Sequence, residues 1–164
     1  MKAIIIFYSF SGNTKLVAQE LEFYLKEKNF TTEVIELKPV DESKKFFTQA
    51  SQAFIHKKAK LKEVNYNLDD YDIACFGTPV WAFAPAPALN TYLDRVSCLE
   101  NKKVVLFVTF GSGLGVNKCL QYIKKILRRK GVKDITNFSI QQEKVFNKEF
   151  VLAQIKKAFN SFET

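Results

Sequence analysis

The chain has 164 residues, of which 47% are hydrophobic, and it carries a formal net charge of +8. That apolar share excludes a disordered chain, and the length suits one domain spanning residues 1–164. No run approaches 18 consecutive apolar residues, so no membrane-spanning helix is expected.

Residues 2–8 (KAIIIFY) form a nearly continuous apolar run and predict a strand covered on both faces. The run is too short, and lacks a convincing small-residue cleavage site, to be a secretory leader. It empties into Ser9-Phe10-Ser11-Gly12-Asn13-Thr14. Val17, Leu21, Tyr24 and Leu25 follow at helical spacing, so this hydroxyl-rich loop opens a helix. A helix N-terminus with free N–H donors and hydroxyl neighbours holds a phosphate without a lysine. Composition leaves that reading and an ordinary capped turn both open. Neither G-x-x-x-x-G-K-[ST] nor G-x-G-x-x-G is present.

A second strand is predicted over 31–37. Residues 38–66 form a longer excursion, with a helical stripe of Phe46, Ala50, Ala53 and Phe54. A third strand, 71–77, leads into Gly77-Thr78-Pro79-Val80-Trp81-Ala82-Phe83-Ala84-Pro85-Ala86-Pro87. Prolines stiffen this segment, and it holds the only tryptophan. An indole on a stiff loop offers a stacking surface; taken alone, Trp81 reads more readily as a core residue. A helix near 87–95 follows.

The fourth strand, 103–110, ends in Thr109-Phe110-Gly111-Ser112-Gly113-Leu114-Gly115, where glycines let backbone approach a flat ligand. A flexible turn is the plain alternative. A helix over 116–130, a fifth strand at 133–140 and a last helix complete the chain. That helix carries the stripe Val151, Ile155, Ala158, Phe159 and Phe162, with Asn147 as its cap.

Five strands with interposed helices predict an α/β fold: a doubly wound, five-stranded parallel sheet in the order 2-1-3-4-5. Ligands in such sheets sit beyond the carboxyl ends of the strands. There the three unusual loops converge, as a phosphate cradle, an aromatic plate and a close-backbone wall.

The cations cluster in two places. Lys44, Lys45, Lys57, Lys58, Lys60 and Lys62 flank one expected helix, and Lys124, Lys125, Arg128, Arg129 and Lys130 crowd the end of another. Helix ends favour cations, so solvated, dipole-matched ends are expected, with no nucleic-acid or membrane partner. Cys75, Cys98 and Cys119 make no C-x-x-C pair, and His56 completes no zinc quartet. The odd thiol count fits a reducing, cytoplasmic setting.

The motifs together resemble the flavodoxin family, in its short-chain form. "SFSGNT" is similar to the family's phosphate loop, "YDIACFGTPVWAFAPAPALNTYLD" to its second flavin segment and "FGSG" to its third flavin loop. The resemblance implies a flavodoxin-like three-layer sandwich that binds FMN. It implies a phosphate held by the Ser9–Thr14 loop, with Ser9, Ser11, Asn13 and Thr14 as ligands, and a ring flanked by Thr78, Pro79, Val80, Trp81, Ala82 and Phe83 and by Thr109, Phe110, Gly111, Ser112 and Gly113. Two features depart from the family. Ala82 stands where a glycine is usual, and the chain is basic, with no acid between Asp72 and Asp94.

The expected role is electron transfer between partners, with a redox partner protein of acidic surface or a small quinone or flavin as substrate. The alternative is an NAD(P)H-dependent FMN or quinone reductase on the same fold. A monomer or weak dimer is expected. A phosphoacceptor receiver domain is excluded because Tyr8-Ser9 and Phe76-Gly77 replace the needed acids; a tyrosine phosphatase is excluded because no C-x5-R occurs.

Overall fold

The computed structural model describes residues 1–40 and 58–162. The helix expected around Phe46–Phe54 lies outside the described residues.

Five parallel strands form the sheet: β1 (Lys2–Phe7), β2 (Thr31–Glu36), β3 (Ile73–Trp81), β5 (Lys103–Phe110) and β6 (Ile135–Gln141). Their order is β2-β1-β3-β5-β6, with a two-residue strand β4 (Ala84–Pro85) antiparallel to the end of β3. This is the predicted order with one short strand added. Among the described residues four α-helices pack on the sheet: α1 (Asn13–Glu27), α2 (Pro87–Arg95), α3 (Val116–Arg129) and α4 (Lys148–Asn160).

Alternation along β1 explains the three layers. Ile4 and Ile6 face the core beneath α2 and α3, with Leu89, Leu93, Leu120 and Ile123. Ala3, Ile5 and Phe7 face the other core, with Val17, Leu21, Val151 and Ile155 from α1 and α4. Strand β1 is buried on both faces, whereas the edge strand β2 is mostly exposed or half-exposed. Continuous and interrupted apolar runs therefore report strand position in the sheet.

Asn147 caps α4 as expected, its Oδ1 accepting from Phe150 N at 3.0 Å. Phe162, assigned to the helical stripe, lies past the end of α4 but still packs on that core.

The largest departure concerns β3. The sequence places its end at residue 77, yet it runs to Trp81. Pairing with β5 continues through Pro79↔Thr109, and Val80 and Trp81 then pair with β4. Strand β1 stops at Phe7, opposite Gly77. Beyond that point β3 has lost one neighbour, so a proline without an N–H is tolerated.

Candidate functional site

The three unusual segments meet at the carboxyl ends of β1, β3 and β5, and they are joined to one another. Thr14 Oγ1 and Thr109 Oγ1 lie 2.8 Å apart in a buried hydrogen bond, which ties the first helix turn of α1 to the end of β5. The Trp81 ring meets Tyr8 and Phe10 edge-on, both at 5.8 Å between centroids. Gln141 Nε2 donates to Gly111 O at 3.3 Å, so β6 braces the third loop.

The first loop has features that suit an anion. Gly12 adopts φ +91° at the N-cap of α1, where left-handed backbone favours glycine. A Cβ there would meet nothing within 4 Å, so the space above the turn is open. The N-cap residue makes no side-chain hydrogen bond and no acid stands in the first turn. The first N–H groups of a helix have no intrahelical partner. Ser9 Oγ accepts from Lys15 N at 3.3 Å, closing the loop on the helix. Ser11 is exposed, and Asn13 is half-buried.

Three hydroxyls of the expected site also bond within the protein. Thr14 and Thr109 hold each other. Thr78 is fully buried; its hydroxyl donates to Pro79 O and accepts from Ala86 N, pinning the chain that returns from β4. The side chains of these three threonines tie the segments together, while Ser9, Ser11 and Asn13 remain at the cradle.

The second segment is a hairpin, not a loop. Ala82 and Phe83 join the paired residues Trp81 and Ala84, with φ of 44° and 71°. Positive φ at both centre positions marks a type I′ turn, which ordinarily takes Asn-Gly. Two L-residues with Cβ atoms are therefore held in left-handed backbone beside the site. Phe83 is anchored: a Cβ on Gly115 would fall 2.4 Å from its Cδ1, and Lys118 Nζ sits 5.2 Å above its ring. Gly115 itself has φ +85° at the N-cap of α3.

Around the mouth stand exposed apolar groups: Phe10 (57% exposed), Phe83 (47%) and Leu114 (75%). Trp81 and Val80 are half-buried, as is Phe110, and Gly111, Ser112 and Gly113 are exposed.

Two cations absent from the sequence-based site lie against the cradle. Lys15 Nζ and Lys38 Nζ contact Glu36 Oε2 and Oε1 at 3.2 and 2.6 Å. Burial raises the Glu36 carboxyl, but hydrogen bonds and charge from the two lysines outweigh it and hold the group below its usual range. Lys15 directly follows the loop motif and was legible there. Lys38 reaches the loop only because β2 pairs with β1. Burial pushes the thiols of Cys75 and Cys119 up, the latter to about 12, so neither is a nucleophile. Among the described residues no cluster of side chains could hold a metal, and no helix is long and apolar enough to cross a membrane.

The open cradle, its acid-free helix terminus and its polar side chains fit a phosphate monoester, and the aromatic hairpin with the glycine-rich wall fits a planar ring. Comparison with known proteins agrees. Among curated proteins none matches the chain by sequence. Solved structures do match in fold. A flavoprotein in complex with FMN from Lactobacillus acidophilus NCFM is 22% identical, with a TM-score of 0.60 over 90% of this chain and 97% of its own. A flavodoxin from the domain Archaea is 17% identical, with a TM-score of 0.61 over 96% and 99%. An apo NADH:FMN oxidoreductase is 19% identical, with a TM-score of 0.68 over 99% and 88%. The sequence pattern of the family described as NADPH-dependent FMN reductase matches residues 1–144. The chain is an FMN-binding, flavodoxin-like flavoprotein and belongs to the NADPH-dependent FMN reductase family.

Proposed function

We propose that the protein is a reductase that takes electrons from a reduced nicotinamide nucleotide and delivers them to a flavin or quinone acceptor. One observation carries this reading. No aspartate or glutamate occurs in residues 1–19, 73–93 or 101–133, the three stretches that build the site. Glu36, which lines the cradle, is already matched by two lysines.

FMN supplies two-electron chemistry: it accepts a hydride and returns the electrons to an acceptor. The chain's own residues do the rest. Ser9, Ser11, Asn13 and the α1 N-terminus bind the phosphate. Trp81, the Ala82–Phe83 turn and Gly111–Gly113 flank the ring. Carboxylates close to the ring would repel an anionic reductant and an anionic reduced ring, and their absence removes both penalties. Lys118 at the rim adds attraction for a nucleotide phosphate.

A second reading, electron transfer between proteins, draws on the exposed Phe10, Phe83 and Leu114, which suit a docked partner, and on the net charge of +8, which suits an acidic one. Anaerobic mixing of the FMN-loaded protein with NADPH or NADH separates the two. A reductase loses its oxidised-flavin absorbance within its turnover time. A carrier keeps it until a partner reductase is added, and that result overturns the reductase reading.

A further inference from the structure

The cations at the end of α3 are only partly explained by the helix itself. The attraction between a cation and a helix C-terminus falls off beyond the last turn. Arg128 and Arg129 stand in that turn, but Lys124 and Lys125 precede it. The four side chains form two columns, Lys124 with Arg128 and Lys125 with Arg129, each pair at i and i+4. Like charges at that spacing repel and destabilise a helix. Lys124 is half-buried, and burial, then the charge of Arg128, lowers its pKa. Acids placed among these cations would relieve the repulsion, yet no aspartate or glutamate occurs in residues 101–133. Asp94 on α2 is paired with Lys58. Among the described residues no ion pair joins any of the four cations to an acid.

With Gln121 and Tyr122, the four cations line a groove of about 590 Å³. Its chemistry selects among anionic partners. A helix that lies on a membrane surface carries an apolar face for insertion, but Cys119, Leu120, Ile123 and Leu127 of α3 are buried against the sheet. A nucleic acid strand is held by rings that stack on its bases. Here the groove's one aromatic, Tyr122, is half-buried, and its hydroxyl donates to Asn90 Oδ1 at 3.0 Å. Cations repeating one helical turn apart instead match carboxylates that stand at i and i+4 on a second helix. The two guanidinium groups add paired hydrogen bonds to carboxylates.

We propose that Lys124, Lys125, Arg128 and Arg129 form a docking groove for an acidic helix of a partner protein. The groove shares no residue with the flavin site, so the proposal goes beyond the reductase reading and does not rest on it. An acidic helix supplies the carboxylates that α3 lacks, and the repulsion within each column turns into attraction across the interface.

The test is calorimetry on the FMN-loaded protein at physiological salt. The probes are an alanine-based helical peptide with glutamates paired at i and i+4, an isomer with the same glutamates at i and i+2, a DNA duplex, and phosphatidylserine vesicles. The paired peptide should bind at least about three-fold tighter than its isomer, because only the former sets its carboxylates on one face. Lys124→Gln with Arg128→Gln should weaken the paired peptide about five-fold. Lys156→Gln with Lys157→Gln removes the same charge from α4, which packs on the other core, and should weaken it less than about two-fold. Circular dichroism of each variant confirms the fold. Equal losses in the two double variants would show that net charge alone attracts the peptide, and equal binding of the two peptides would show that the columns read no spacing. Either result overturns the proposal. So does tighter binding of the duplex or the vesicles than of the paired peptide.

Discussion

Thr14 and Thr109, 95 residues apart, spend their hydroxyls on each other, 2.8 Å apart and buried. The bond fastens the phosphate loop's helix to the strand that carries the third loop. Removing one partner leaves a buried hydroxyl unsatisfied. Thr14→Val or Thr109→Val should each cost about 1–3 kcal/mol of stability. The double variant should cost less than the sum, because both polar groups are then gone. Urea denaturation of the four proteins measures the coupling; strict additivity would show that the bond contributes nothing.

The turn at Ala82 and Phe83 holds two L-residues at positive φ. Ala82→Gly should relieve the steric penalty and raise stability by about 0.5–1 kcal/mol, after the flexibility glycine adds to the unfolded chain is deducted. Gly115→Ala acts in the opposite direction. Its Cβ would fall 2.8 Å from the Phe83 Cα and 2.4 Å from its Cδ1, at φ +85°. A loss of at least about 2 kcal/mol follows, because backbone must move. Thermal melts of the two variants read both signs.

Binding of FMN should depend on Asn13 more than on Thr14's hydroxyl. Asn13→Ala should raise the FMN dissociation constant about ten-fold or more, since a hydrogen bond to a charged group contributes about 1.5–3 kcal/mol. Riboflavin, which lacks the phosphate, should bind equally weakly to both proteins. Calorimetry with the two flavins reads the difference, and equal losses for both would place Asn13 away from the phosphate.

Trp81 should report the ring. Its side chain is half-buried at the mouth, with Tyr8 and Phe10 edge-on against it. FMN binding should quench its fluorescence strongly. Trp81→Ala should weaken FMN binding by about 1–2 kcal/mol, from lost ring contact plus lost burial. Unquenched emission from the holoprotein would show that the ring lies elsewhere.

Glu36 sets an acid-side dependence. Its folded carboxyl lies below the ordinary value of 4.5: burial works against that, and Lys38 and Lys15 win. A depressed carboxylate contributes stability that is present above its unfolded value. That stability is lost as pH falls through the folded value. Denaturation of wild type from neutral to acid pH should therefore lose this increment below about pH 4.5, and Glu36→Gln should lack it. Parallel pH curves for the two proteins would contradict the assignment.

The architecture was legible from residues 1–164 because burial leaves a periodic trace. Apolar runs such as Ala3–Phe7 and Val104–Val108 are continuous because both faces of those strands are covered. The stripe of Val17, Leu21 and Leu25 repeats at helical spacing because one face of α1 is. The cradle was legible for a similar local reason, since Gly12 at the end of a strand and before a helix needs only its neighbours to form the turn.

The strand order was expected; what escaped the sequence was which side chains and strand ends far apart in it meet. The extension of β3 to Trp81 depends on β5 and β4 supplying hydrogen bonds beyond Gly77. That Thr14, read as a phosphate ligand, also bonds Thr109 depends on β1 and β5 flanking β3. Lys38 reaches the cradle only through the pairing of β2 with β1. Periodicity records which face of an element is buried. Which side chains meet across the ends of strands is decided by packing, and that belongs to the tertiary structure alone.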